Sequence, residues 1–352
     1  METRVATFDV ERPKDRLRLW TAVALLAAVP GIGYGAQCGT LKQAASINLI
    51  PALNGVQMVP VIINGTQKNL LLSTAGGISA LSARTVAAFG LHPVSTARGG
   101  RLLDRAGNAS NLYVVVASFE LGGLQGKNVY FMVSPNQKMG TNAALPIDGV
   151  LANDMMDRFD VEMDFANHKL NYFSTDHCDG DVVYWPANAT AIVSYSSAKP
   201  GARIPDSHIR IPVTLDGKEF KALIDTGSPR STISAATAEY VFHITANTPG
   251  AVPLGTVAND PNHRILGYEF GNLAFEGVSV SHPRFAVIPD LVGSKDPSNE
   301  FKTGSRVQKV DDHIGPEITI GMDVLRELHL YVATREHRLY ITPSTPAVAP
   351  SP

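Results

Sequence analysis

The stretch Ala222–Ser234 (ALIDTGSPRSTIS) carries the clearest chemical feature of the chain, a carboxylate at the end of an apolar run. Leu223 and Ile224 are typical of the end of a buried strand, so Asp225 is expected in the loop that follows. Gly227 permits a sharp turn there and the close approach of a second backbone. A carboxylate held in such a loop can act as a general base.

The surroundings of Asp225 occur twice in the chain. The segment Val59–Gly77 (VPVIINGTQKNLLLSTAGG) matches Ile211–Pro229 (IPVTLDGKEFKALIDTGSP), with Ser73 standing 152 positions before Asp225. Each copy contains an apolar strand, an Asn-Gly or Asp-Gly turn and a second strand. This pattern predicts a β-hairpin that delivers the loop at residue 73 or 225.

A second matched pair of segments closes each copy. Gly149–Phe173 matches Thr319–Ile341, and Asp154 stands 169 positions before Asp323. Two landmarks repeated in the same order indicate an internal duplication, and therefore two similar structural units.

Together, these segments resemble retropepsin-like aspartic proteases, and their tandem order resembles the two lobes of pepsin. The resemblance implies an all-β, two-lobed aspartic-protease-like β-barrel fold with a few short helices. The predicted organisation is a signal peptide or membrane anchor at 1–36, a first lobe at 46–175, a connection at 176–206, a second lobe at 207–343 and a disordered tail at 344–352.

The resemblance also assigns roles to individual residues of the second copy. Asp225 corresponds to the catalytic carboxylate of the family. Thr226 and Ser228 would fix the loop and hydrogen-bond that carboxylate, while Gly227 and Gly321 would support it. The family hydrolyses peptide bonds with an activated water, so we expect neither a metal nor a cofactor.

The first copy departs from the family pattern in its active-site part. Thr74 is retained, but Ser73 stands where the family has aspartate, and Ala75 where it has glycine. Ala152 likewise replaces the equivalent of Gly321. Aspartic proteases place two carboxylates side by side so that they share one proton. A serine hydroxyl cannot take the proton of water near neutral pH, so one half of this pair is missing.

Three hypotheses follow for the function. Two chains could form a homodimer that pairs one Asp225 with the other, or Asp225 could work alone while Ser73 helps to hold the water. Alternatively, the chain is a non-catalytic module that binds peptides or proteins. We expect an aspartic-type endopeptidase acting on a peptide or protein substrate, with the binding module as the alternative.

The charge balance and the N-terminus bear on partners and location. A net charge of −2 argues against nucleic-acid binding. The apolar run Leu19–Val29 follows two arginines and is typical of a secretory signal peptide. We therefore expect an exported protein, periplasmic or secreted, attached to a membrane through residues 19–36 if that segment is not cleaved.

The chain contains two cysteines, one on either side of the predicted first lobe. In an exported protein, Cys38 and Cys178 could form a disulfide that ties the ends of this lobe. Two free thiols are the alternative.

Overall fold

The structure is a computed structural model that describes residues 38–96, 102–103, 109–136, 145–196, 208–257, 260–289 and 318–345. The predicted signal peptide or anchor at 1–36 lies outside these residues, as does the tail from 346 onward. None of the helices in the described ranges is long and apolar enough to cross a membrane.

Strands dominate the described chain, and the helices are short. The first part contains β1 Gln43–Asn48, β2 Ile50–Pro51, β3 Gln57–Ile63, β4 Thr66–Leu72, β5 Ala80–Leu81, α1 Ala83–Ala88, β6 Val94–Ser95, β7 Leu102–Leu103, β8 Ala109–Ser110, β9 Leu112–Leu121, β10 Leu124–Val133, β11 Gly149–Leu151, β12 Asp160–Asp164, β13 Lys169–Phe173 and β14 Ala191–Ser194. The second part contains β15 Arg210–Leu215, β16 Lys218–Ile224, β17 Ser231–Ser234, α2 Ala235–Phe242, β18 Val252–Val257, β19 Asp260–Glu269, β20 Asn272–Phe275, β21 Val278–Ser281, β22 Arg284–Ile288, β23 Ile318–Ile320, α3 Met322–Leu325, β24 Leu328–Ala333 and β25 Arg338–Pro343. Single 3₁₀ turns occupy Leu53–Gly55 and Asn153–Met155.

Each copy of the repeat builds its own large sheet. The first copy forms an eight-stranded sheet in the order β2-β3-β4-β11-β5-β10-β9-β6. The second forms a nine-stranded sheet in the order β18-β19-β22-β17-β23-β16-β15-β20-β21. In both, the strand before the residue 73 or 225 loop pairs in parallel with the short strand of the closing segment. The predicted all-β, two-lobed fold is confirmed.

The hairpin turns follow from the Asn-Gly and Asp-Gly sequences. Asn64 and Asp216 adopt left-handed φ values of 49° and 45°, and Gly65 and Gly217 follow at 76° and 77°. Two consecutive left-handed residues match the right-handed twist of the flanking strands, and asparagine, aspartate and glycine tolerate that conformation best. The hairpins therefore end in equivalent turns in both copies.

The closing segments of the two copies leave their own sheets and pair with each other. They form a six-stranded sheet in the order β1-β13-β12-β24-β25-β14. Strands β12 and β24 run antiparallel at its centre, and every residue of both is buried. Strand β14, from the predicted connection, completes one edge. This shared sheet joins the two lobes, and the described residues between 38 and 345 form one compact unit.

A disulfide joins Cys38 to Cys178, with their Cα atoms 4.8 Å apart. The backbone N–H of Cys178 also donates to the carbonyl of Gly39 at 3.2 Å. Of the two alternatives, a disulfide and two free thiols, the structure therefore contains the disulfide. It ties the start of the described chain to the segment that leaves the first lobe.

Two buried histidine–carboxylate pairs lie in or against the shared sheet. Asp160 on β12 lies 2.5 Å from Nε2 of His177 and accepts the backbone N–H of Thr334 at 2.8 Å. Glu162, on the same strand, lies 2.7 Å from Nε2 of His329 on β24. The second pair thus bridges the two copies.

These contacts shift two pKa values in opposite directions. Burial alone would raise the pKa of Glu162, but hydrogen bonds from His329 and Tyr184 outweigh it and hold the pKa below its ordinary 4.5. Burial alone would lower the pKa of His177, but hydrogen bonds to the Cys178 carbonyl and to Asp160 raise it above its ordinary 6.5. The ionised carboxylate of Glu162 and the protonated imidazole of His177 are therefore favoured by the folded state.

The contribution of these pairs to the free energy of unfolding should be greatest between pH 4.5 and 6.5, the ordinary values of the two groups. Below pH 4.5, the Glu162 contribution is lost as pH falls through its depressed pKa. Above pH 6.5, the His177 contribution is lost as pH rises through its raised pKa. Urea unfolding across this range would measure the effect.

Glu162→Gln should flatten the acid side of the stability profile, and His177→Gln the alkaline side. Glu219→Gln, at an exposed position on β16, is the matched control and should leave both sides unchanged. Equal acid slopes for the wild type and Glu162→Gln would contradict the assignment.

Candidate active site

Asp225 lies at the end of β16, where the sequence places it. Ile224 pairs with Ile320 of β23 in a parallel register, and the backbone N–H of Asp225 donates to the Ile320 carbonyl at 2.9 Å. Only 3% of Asp225 is exposed. Ile224 and Ile320, the apolar residues that precede the loop on the two strands, are buried, so the loop is fixed by the core beneath it.

The carboxylate of Asp225 is held between its own loop and the first copy. Its Oδ1 accepts the backbone N–H of Gly227 at 2.9 Å and lies 3.4 Å from the hydroxyl of Ser73, which donates to it. A Cβ at position 227 would lie 2.8 Å from that hydroxyl and 3.2 Å from Oδ1 of Asp225. Glycine is therefore required here for the close approach of the first-copy loop.

Two threonines lock the loops together by reciprocal hydrogen bonds. The N–H of Thr74 donates to the hydroxyl of Thr226 at 3.1 Å, and the N–H of Thr226 donates to the hydroxyl of Thr74 at 3.2 Å. Each hydroxyl then donates to a carbonyl of the opposite copy, Ile224 at 2.7 Å and Leu72 at 3.0 Å. Both threonines are fully buried.

From the resemblance, Thr226 and Ser228 are expected to fix the loop and to hydrogen-bond the carboxylate of Asp225, and in the structure both hydroxyls make hydrogen bonds that fix the loops. The single hydroxyl proton of Thr226 is used on the Leu72 carbonyl, so it does not hold the carboxylate of Asp225. The hydroxyl of Ser228 donates to the Arg230 carbonyl at 2.8 Å. Thr74, noted in the sequence only as a remnant of the motif, is an equal partner in the contact between the copies.

Gly321 packs against the turn that follows Asp225. Its N–H donates to the hydroxyl of Ser231 at 3.0 Å, and a Cβ there would clash with the backbone of Arg230. In the first copy, Ala152 occupies the equivalent place, and its N–H donates to the hydroxyl of Ser79 at 2.9 Å. The hydrogen bond is thus kept in both copies although the residue differs.

Two serine–aspartate pairs complete the loops and were not recognised from the sequence. The hydroxyl of Ser79 donates to Asp154 at 2.6 Å, and that of Ser231 donates to Asp323 at 2.7 Å. Burial raises the pKa of both carboxyls, because desolvation outweighs the hydrogen bonds they accept. The repeat itself could have indicated these pairs, since Ser79 and Ser231 are 152 positions apart and Asp154 and Asp323 are 169 positions apart.

The site therefore presents one carboxylate and one neutral hydroxyl at the meeting point of two loops. The carboxylate of Asp225 can accept a proton, and the hydroxyl of Ser73 can donate a hydrogen bond. Within the described ranges, no group of three or more His, Cys, Asp or Glu side chains is placed to hold a metal ion.

Comparisons with known proteins extend these observations. The family model for aspartyl protease matches residues 59–155 and 211–334, which is more than half of the chain. No curated protein matches the sequence. Conglutin gamma, a basic 7S globulin from lupine seeds, is similar in structure, with a TM-score of 0.49, 10% identity, and coverage of 86% of this chain and 95% of that one.

Two other solved structures give comparable values. An aspartic proteinase from Irpex lacteus has a TM-score of 0.47 and 12% identity, and the match covers 87% of this chain and 99% of that one. Basic 7S globulin from soybean has a TM-score of 0.46 and 9% identity, covering 86% and 95%. On the family match to both of its copies, the chain belongs to the aspartyl protease family.

Proposed function

We propose that the protein is an aspartic-type endopeptidase in which Asp225 is the catalytic carboxylate and the Ser73 hydroxyl takes the place of a second one. One observation carries this proposal: Ser73 Oγ lies 3.4 Å from Asp225 Oδ1, in loops that Thr74 and Thr226 hold together. A base and a hydrogen-bond donor therefore lie side by side in a fixed geometry.

The proposed reaction needs one proton acceptor that later returns the proton. Asp225 takes a proton from a water molecule as the water oxygen attacks the carbonyl carbon of the peptide bond. Once Asp225 is protonated, the Ser73 hydroxyl is released from Oδ1 and turns to donate its one hydrogen bond to the oxyanion that forms. Protonated Asp225 then gives its proton to the leaving nitrogen, and the C–N bond breaks to yield an acid and an amine.

This site should be slower than one with two carboxylates. A positioned acid or base contributes about 10²–10⁴-fold to a rate, and the Ser73 hydroxyl supplies a hydrogen bond but not a transferable proton at neutral pH. Because no second group at this position can transfer a proton, Ser73 limits the rate of the proposed reaction.

Replacing the carboxylate tests the proposal directly. Asp225→Asn should abolish cleavage of an unstructured peptide library, because an amide cannot accept the proton of water. Ser73→Ala removes one donor and should lower kcat by about 10²–10³-fold. Mass spectrometry of the products would measure both. Cleavage by Asp225→Asn at the wild-type rate would show that Asp225 is not the base.

Rebuilding the missing half of the site is the second test. Ser73→Asp combined with Ala75→Gly recreates Asp-Thr-Gly in the first copy. The glycine is included because a Cβ at the equivalent Gly227 would lie 3.2 Å from Oδ1 of Asp225, so Ala75 would crowd a new carboxylate.

The double variant should cleave peptides about 10²–10⁴-fold faster at acid pH than the wild type, because two carboxylates can then share one proton. Ala75→Gly alone is the control and should leave the rate unchanged. A double variant that folds like the wild type but cleaves no faster would contradict the proposed role of Ser73.

The second candidate function is a module that binds peptides without cleaving them. Ser73, Ala75 and Ala152 favour it, since all three family positions have changed in one copy while its strands are intact. Comparing the wild type with Asp225→Asn separates the two functions. A peptidase would cleave as the wild type and not as the variant, whereas a binding module would cleave in neither form.

A homodimer stays a prediction, but pairing of two Asp225 residues forms no part of this proposal. The place facing Asp225 is taken by Ser73 of the same chain, behind the buried Thr74–Thr226 contact.

We further propose that the protein is exported. The disulfide between Cys38 and Cys178 supports this, because disulfides persist in oxidising compartments.

A further inference from the structure

A cavity of about 920 Å³ lies beside the loop that follows Asp225, and the proposed mechanism does not use it. Its walls come from the turn at Pro229 and Arg230, the β18–β19 hairpin, strand β22 and the end of α3. Asn54 and Gly55 of the first copy close one side. The volume is within the range of small-molecule and side-chain binding sites.

One part of the cavity wall is apolar. Val252 and Leu254 on β18 line it and are 52% and 41% exposed, and Tyr268 and Phe285 form the wall behind them. Gly267 is also part of this wall, and a Cβ there would lie 3.2 Å from the side chain of Leu254. Exposed apolar side chains at a concave surface favour the binding of an apolar group.

The rim of the cavity is cationic. Three arginines line it, and Arg284 is paired with Glu269 through Nε and Oε2 at 2.8 Å. Arg230 and Arg326 are exposed and have no carboxylate within 4.0 Å among the described residues. Asp323 also lines the cavity, and its carboxylate interacts electrostatically with Arg326. Three arginines therefore face two carboxylates, and within the part of the chain that the structure describes, Arg230 and Arg326 make no close ion pair that would keep them from binding an added carboxylate.

The position of these arginines is fixed by the active-site loop. The hydroxyl of Ser228 donates to the carbonyl of Arg230, and the carbonyl of Ser228 accepts the N–H of Met322, each at 2.8 Å. Met322 begins α3, and Arg326 follows that helix. A group bound in the cavity would thus be held against the same loop that carries Asp225.

We propose that this cavity binds a peptide carboxylate carried on a short apolar stem, with Arg230 and Arg326 as its partners. Arginine is suited to this role because its planar guanidinium donates two parallel hydrogen bonds to a carboxylate. The stem would pack on Val252 and Leu254. A role of the cavity in selecting which peptide is cleaved rests on the proposed function. Binding of a peptide carboxylate in the cavity does not.

Two sources could supply such a carboxylate: an aspartate or glutamate side chain, or the C-terminal end of a peptide. The test therefore uses fluorescently labelled peptides of one sequence in three forms. The first has a central glutamate and an amidated C-terminus, the second has glutamine and an amide, and the third has glutamine and a free C-terminus.

Fluorescence anisotropy would measure the binding of each peptide to the full chain carrying Asp225→Asn, so that cleavage does not interfere. We expect either the first or the third peptide to bind at least tenfold more tightly than the second, which also identifies the source. Arg230→Gln and Arg326→Gln should each weaken that binding about tenfold, as expected for a lost hydrogen bond to a charged group. Arg158→Gln, at an exposed site of the first copy outside the cavity, is the charge-matched control and should change nothing.

Equal affinity for all three peptides, or the same affinity in the two cavity variants as in the control, would overturn the inference. So would the absence of binding at millimolar peptide. Arginine-dependent binding in a protein that shows no cleavage would keep the inference and reject the peptidase proposal instead.

Discussion

The reciprocal hydrogen bonds between Thr74 and Thr226 are the contact on which the rest of the site depends. Each threonine donates its N–H to the other and its hydroxyl to a carbonyl of the opposite copy, in a fully buried environment. A buried donor or acceptor left without its partner costs about 1–3 kcal/mol, so loss of either hydroxyl would be felt by both loops. This contact brings Ser73 within 3.4 Å of Asp225.

The two copies have kept their framework symmetric while their chemistry has become asymmetric. Equivalent serine–aspartate pairs fasten both loops, and equivalent serines, Ser82 and Ser234, cap the helices that follow. At the site itself, Ser73 is the difference that faces the carboxylate, whereas Ala152 packs against Gly76 of its own loop. The scaffold of a two-carboxylate site therefore survives around a single carboxylate, and the shared six-stranded sheet holds it together.

Much of this could be predicted from the sequence because the chain repeats itself. The hairpins and the place of Asp225 follow from apolar patterning, turn residues and two constant offsets, and the short helices follow from the resemblance to the family. The lobe boundaries and the signal peptide or anchor stay predictions. The contacts between the two lobes could not be predicted from the sequence. No local pattern indicates that β12 pairs with β24, or that the hydroxyl of Thr226 donates to the Leu72 carbonyl. The arginines at the cavity rim could not be predicted either. Arg230 and Arg326 are far apart in the sequence, and only the fold places both of them at one cavity.

The pH dependence of kcat/KM for a cleaved peptide is the measurement that most directly tests the central claim, that one carboxylate works beside one hydroxyl. Two carboxylates that share a proton give a bell-shaped profile, because one must be ionised and the other protonated. The account predicts a profile with one limb: kcat/KM rises once with pH, because one general base must be deprotonated, and then stays level. A bell-shaped profile with an acid optimum, abolished by Asp225→Asn, would show that a second carboxylate enters the site and would contradict the account.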